Sequence, residues 1–127
     1  MKRVVVDASA LAAVVFQEPK GEAIRDYLHG ALVFAPPLLR FEMANVAWKK
    51  VRQQPARGAE ILGALAAVDR RSNISWQDVQ LIDVVLMARA TGLSVYDASY
   101  LWLAGSLGAE LVTLDERLAA ASEQLKT

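Results

Sequence analysis

At residues 4–13 the chain reads VVVDASALAA. Three β-branched residues run together without polar alternation, which suits a strand buried on both faces, as in a parallel sheet. Asp7 ends that run, and residues Ala8–Phe16 have a helical composition that stops before Pro19. The tripeptide Asp-Ala-Ser returns at 97–99, inside LSVYDASYLWLA (93–104). There too it stands between a β-type run and a helical one. Reading both as strand–acid–helix units predicts an α/β fold with two acids at strand ends.

Working outward, the alternation continues. ALVFAP (31–36) reads as a second strand, NISW (73–76) as a weaker third, LSVY (93–96) as a fourth and ELVTL (110–114) as a fifth. PKGEAIRDYLHG (19–30) is a helix opened by Pro19 and closed by Gly30. A long helix runs from about Pro37 to Gln54, where Pro55 breaks it, and ARGAEILGALAAVDRR (56–71) is its antiparallel partner. Asp78 is placed to cap VQLIDVVLMARATG (79–92), which Gly92 ends. ASYLWLAGSLG (98–108) and ERLAAASEQLK (116–126) are the last helices. Strands alternating with helices predict a three-layer α/β/α sandwich around a mainly parallel, five-stranded sheet. The expectation is one domain over residues 1–127.

Composition narrows the chemistry. A chain of 127 residues, 54% hydrophobic, has enough apolar side chain for a core; at this size roughly two-thirds of the unfolded surface is buried. No apolar stretch approaches the ~18 residues a membrane span needs. MKRVVVDASA has a basic start but reaches an acid after a short apolar run, unlike a signal peptide. The expectation is a soluble, cytoplasmic protein. With no Cys and one His, the chain has no structural Cys/His zinc site, no Cys nucleophile and no two-His acid–base ribonuclease site. His29, in YLHGALVF, sits where it would close a helix. The formal net charge is zero, so any polyanion must be held by a local basic patch.

The acids stand out against that background. Open α/β sheets bind ligands beyond the carboxyl ends of their strands, where the strand order reverses. Asp7, Asp97 and Asp115 each follow an expected strand, and they converge if those strands are neighbours. A fourth acid, Glu42, lies in LRFEMANVAW beside the apolar stripe of Leu39, Met43 and Val46, with Asn45 three residues on. Each Asp is also a natural helix cap, and Glu42 could pair with Arg40 or Lys49. Gathered together, however, unpaired carboxylates repel and hold their protons more tightly, and a divalent cation relieves this. Oxygen-only ligands select Mg²⁺ or Mn²⁺. Ser9, Asn45 and Thr113 are polar side chains placed to support the acids.

In order and spacing, VVVDASAL (4–11), FEMAN (41–45), VYDASYLWLA (95–104) and LVTLDERLA (111–119) resemble the motif blocks of PIN-domain ribonucleases. They are most similar to those of the toxins of VapBC-type toxin–antitoxin pairs. The resemblance covers essentially the whole chain. It implies that Asp7, Glu42, Asp97 and Asp115 form a catalytic, metal-binding set, with Ser9, Asn45 and Thr113 in support. The implied activity is Mg²⁺- or Mn²⁺-dependent hydrolysis of RNA phosphodiesters, which needs no His base. Lys49, Lys50, Arg52 and Arg57, around the tip of the helical hairpin, are candidates to hold RNA phosphates. The resemblance also implies a homodimer, a VapB-type antitoxin lying along Leu39, Met43 and Trp48, and larger toxin–antitoxin assemblies; the competing reading, the more ordinary one for Leu39 and Met43, makes these residues core. The apolar faces of FEMANVAW and YLWLAGSLG are the candidate interfaces, the dimer being placed on the helices nearest Asp97 and Asp115.

Two phosphoryl-handling folds that also begin with an acid after the first strand do not match. Dehalogenase-like phosphatases need a second Asp where Ser9 stands, and receiver domains need a Lys where Thr113, Leu114 and Asp115 stand. A non-catalytic PIN-like module that binds RNA or protein is the alternative.

Overall fold

The structure, a computed structural model, describes residues 1–70 and 73–126. Four strands form one sheet: β1 (Arg3–Val6), β2 (Leu32–Ala35), β3 (Ile74–Trp76) and β4 (Glu110–Val112). Their order is β3-β2-β1-β4, and every neighbouring pair is parallel. Helices α1 (Ala8–Val15) and α2 (Gly21–Leu28) link β1 to β2. Helix α3 (Leu38–Gln53), a 3₁₀ turn at Pro55–Arg57 and α4 (Gly58–Asp69) link β2 to β3. Helices α5 (Leu81–Thr91) and α6 (Val95–Leu107) link β3 to β4, and α7 (Glu116–Leu125) follows. Val4, Val5 and Val6 are all fully buried. Successive strand side chains point to opposite faces, so both faces of β1 are covered, as the all-apolar run predicted.

Among the described residues the sheet has four strands, not five. LSVY does not add a strand: Gly92 ends α5 in the left-handed conformation, and Ser94 already caps α6 by accepting from the Asp97 backbone N–H (3.1 Å). A short apolar run bounded by turn residues fits a strand or a buried helical turn equally. Ser94-x-x-Asp97 is a helix-start pattern, and it outweighs the β propensity of Val95 and Tyr96. Helix α5 also starts later than predicted. Gln80, not Asp78, occupies its cap position, with no side-chain cap bond. The last residue of the predicted partner helix, Arg71, lies outside the described residues.

The helical hairpin is antiparallel as expected. Arg40, near the start of α3, donates to Asp69 at the end of α4 (2.7 Å). Leu39 and Met43 are completely buried in the core. Gly21 is required where α2 meets α1, because a Cβ there would lie 2.0 Å from the Ala13 carbonyl oxygen. His29 is the C-cap residue of α2, as predicted. Among the described residues no helix is long and apolar enough to cross a membrane.

The strand order reverses between β1 and β4: the chain builds outward from β1 through β2 to β3, then returns to the other side of β1. That places the switch point between the ends of β1 and β4, where Asp7 and Thr113 emerge.

Candidate active site

Parallel register brings the first and last acidic blocks together. Val6 pairs with Val112, so Asp7 and Thr113 leave the sheet side by side, and the Asp7 N–H donates to the Val112 carbonyl (3.3 Å). Asp7 as a residue is only 5% exposed. One oxygen accepts from the Ala10 N–H (3.0 Å), capping α1, and from the Ser9 hydroxyl (2.8 Å). The other accepts from the Thr113 hydroxyl (2.5 Å). Each hydroxyl also accepts a backbone N–H from the turn after β4: Ser9 from Leu114 (2.9 Å) and Thr113 from Asp115 (3.0 Å). Ser9 and Thr113 therefore pin a buried carboxylate to the neighbouring strand end. Burial still raises the Asp7 carboxyl above its ordinary range, partly offset by these bonds and reinforced by the Asp115 charge.

Glu42 comes from the second turn of α3, at the edge of the buried stripe, and is half-buried. The alternative reading paired it with Arg40 or Lys49, but Arg40 is engaged by Asp69, and among the described residues Lys49 forms no salt bridge with it. Instead the buried Tyr100 hydroxyl donates a hydrogen bond to Glu42 Oε1. Burial raises the Glu42 carboxyl; the Tyr100 bond opposes this, and the charges of Asp97 and Asp7 add to it. Asp97 lies in the first turn of α6 rather than at a strand end, and the helix cap is Ser94. Its carboxyl is raised by burial first, then by Asp115 and Asp7, against a lowering influence from Arg117. Asp115 is exposed and caps α7 by accepting from the Leu118 N–H (2.9 Å).

Asp7, Glu42 and Asp97 thus each feel the charge of at least one other acid of the set, which is drawn from four elements of the fold: β1, α3, α6 and α7. Among the described residues none of the four forms a salt bridge. Nor do any three acid, His or Cys side chains there stand in a ready-made cation cage. The donor set nonetheless fits a hard divalent cation: it is all carboxylate oxygen, and its mutual repulsion is what such an ion removes. Asn45 is exposed and lines, with Glu42, Ala8, Phe41 and Tyr96, a groove of about 330 Å³ at the site's edge.

The basic residues divide. Lys50 is paired with Glu18 (2.7 Å) and lies over the Phe16 ring, and Arg57 is paired with Glu60 (3.0 Å). Arg52 stacks over the exposed Trp48 ring at 5.5 Å, and Lys49 is exposed. Lys49 lies seven residues beyond Glu42, two helical turns along nearly the same face, about 10 Å away.

Two expectations change. Leu39 and Met43 are core and line no partner groove; the exposed apolar residues of that stretch are Phe41 and Trp48. In YLWLAGSLG, Tyr100, Leu101, Leu103 and Ala104 are core as well, because α6 packs against β1 and β4. The exposed apolar face lies on α5, at Leu81, Ile82, Val85 and Leu86. Tyr100 was missed as a site residue. Its signal was the Asp97-x-x-Tyr100 spacing, which puts both on one side of a helix.

The family profile of the PIN domain matches residues 4–124. Ribonuclease VapC3 of Pyrobaculum aerophilum is 34% identical over 121 residues, covering 92% of each chain. Exonuclease VapC9 of the same organism is 35% identical over 115 residues, 91% of this chain and 82% of the relative. The crystal structure of PAE2754, also from Pyrobaculum aerophilum, superposes with a TM-score of 0.75 at 31% identity, covering 98% of this chain and 92% of that one.

Proposed function

The chain belongs to the PIN-domain family, and we propose that it is a metal-dependent endoribonuclease, the toxin of a VapBC-type pair. The observation that carries this is the set of four carboxylates at the switch point of a parallel sheet, free of salt bridges among the described residues, three of them raised by burial and by neighbouring acid charge. The VapC names of the relatives support the ribonuclease reading.

Bound by Asp7, Glu42, Asp97 and Asp115, Mg²⁺ or Mn²⁺ would activate water and neutralise charge building on the phosphodiester. The protein's own part is orientation. Ser9 and Thr113 hold the Asp7 carboxylate by one bond to each oxygen, so that it meets the ligand without losing side-chain freedom on binding. Asp97 needs no service as a cap, so its carboxylate is free to act. Asp115 keeps one oxygen on the α7 N-terminus and offers the other. Lys49 and Arg52, unpaired with any acid among the described residues, are the side chains that would track the RNA backbone.

The antitoxin of the pair would lie across Phe41 and Trp48 and reach the acids with a cationic side chain. The α5 face of Leu81, Ile82, Val85 and Leu86 would close a homodimer.

The test is cleavage of a labelled heteropolymeric RNA in linear and circular form, with Mn²⁺ or with EDTA. An endonuclease linearises the circle and stops in EDTA. Undiminished cleavage in EDTA overturns the metal mechanism. Digestion of the linear form alone assigns the chain an exonuclease activity. An intact RNA pool would leave only the binding module.

A further inference from the structure

We infer that Tyr100 is a positioning residue for Glu42: its hydroxyl holds Oε1 so that Oε2 is the oxygen left to bind a cation. The inference rests on the reading of the four acids as a metal site.

Tyr100 is 1% exposed and is among the largest fully buried side chains of the core. A phenylalanine would fill the same space without the cost of taking a hydroxyl out of water. The hydroxyl is retained where its hydrogen-bond acceptor is a half-buried acid on another helix, 58 residues away in sequence. Among the described residues Oε1 is the phenol's only hydrogen-bond partner, and Oε2 accepts from no donor. A carboxylate on an otherwise unrestrained glutamate has three side-chain torsions to sample; tying one oxygen to a rigid ring removes most of that freedom before a ligand arrives.

The placement also couples two acids. Tyr100 stands three residues after Asp97 on α6, so the helix that carries Asp97 also aims Glu42 on α3. α3 and α6 are joined at the site by this bond, so a shift of α6 that moves Asp97 also moves the hydroxyl that holds Glu42. Buried phenol–carboxylate pairs of this kind are strong because the acceptor is charged. Partners one step out from metal ligands, when removed, cost about 10–100-fold in affinity or activity.

The test is Mn²⁺ titration of the full chain followed by thermal shift, which reads binding without turnover. The parent, Tyr100→Phe, Glu42→Gln and the double variant are compared. Tyr100→Phe should keep the far-UV spectrum and raise the Mn²⁺ midpoint about 10-fold or more. In the Glu42→Gln background the same substitution should have no further effect on the midpoint, because its route of action is gone. A purely structural tyrosine would instead move the midpoint equally in both backgrounds, or not at all, and either result overturns the inference. Glu42→Gln with a parental midpoint overturns the reading of the acids, and this inference with it. A crippled Glu42→Gln beside a parental Tyr100→Phe overturns the inference alone.

Discussion

Replacing Thr113 with Val keeps the shape of the side chain and removes its hydroxyl. Two bonds go, the 2.5 Å donation to Asp7 Oδ2 and the 3.0 Å acceptance from the Asp115 N–H, together with the 3.3 Å contact to the Ser9 hydroxyl. The second donor lies at an exposed turn, where water replaces the lost acceptor at little cost. The first acceptor belongs to Asp7, a residue only 5% exposed, so water reaches it poorly. A hydrogen bond to a charged group is worth about 1.5–3 kcal/mol. Asp7 keeps Ser9 and Ala10 as donors, so a loss of about 2 kcal/mol is expected, or roughly 6–10 °C in Tm for a chain of this size. The loss also carries a pH signature. The Thr113 bond favours the charged form of Asp7, so without it the folded-state pKa, already raised by burial, rises further. The folded variant then binds a proton that the unfolded chain releases, and its deficit grows as pH climbs through that raised range and narrows toward about pH 4. Chemical and thermal unfolding in EDTA, at acidic and neutral pH, measure both effects, with Thr113→Ser as the variant that keeps the hydroxyl. A deficit below about 0.5 kcal/mol, the same at both pH values, would refute the idea that this hydroxyl secures a buried carboxylate.

Asp7, Glu42 and Asp97 all have raised folded-state pKa values, so metal-free protein should gain stability as pH falls from neutral into the upper carboxylate range. Saturating Mg²⁺ should flatten that gain, and a melting profile equally steep with and without the ion would count against a shared metal site. Asp97→Asn should lower RNA cleavage by about 100-fold or more, by analogy with losing an electrostatic catalytic group. Its metal-free Tm should stay level or rise, because Ser94 does the capping; near-normal cleavage would remove Asp97 from the site. Lys49→Ala should weaken RNA binding at every sequence tested and reduce the slope of log affinity against log salt by about 1. An unchanged slope would move the RNA path elsewhere. Ile82→Glu, on the exposed face of α5, should convert a dimer to a monomer by light scattering, whereas an unaltered mass would place the interface on another face.

What the sequence determined by itself was whatever depends on neighbours in the chain. Three consecutive valines followed by Asp and a helix specify a buried strand with an acid at its end, and VVVDASALAA folds that way. Pro55 breaks the long helix and Gly92 ends α5 because φ restrictions are local. The apolar stripe of α3 put Glu42 at the edge of a buried face, where it stands. Tertiary structure decided the rest. LSVY, read as a strand, has a pattern equally compatible with a helix start, and with β1 and β4 paired directly it supplies the cap and the first two residues of α6 instead. Which residues of YLWLAGSLG and of α5 face solvent depends on what packs over each helix, not on how apolar either one is. The Tyr100–Glu42 bond joins residues 58 apart, and the Thr113–Asp7 bond joins residues 106 apart. Such contacts exist only once parallel register and helix packing have closed the intervening loops, and so no local pattern announces them.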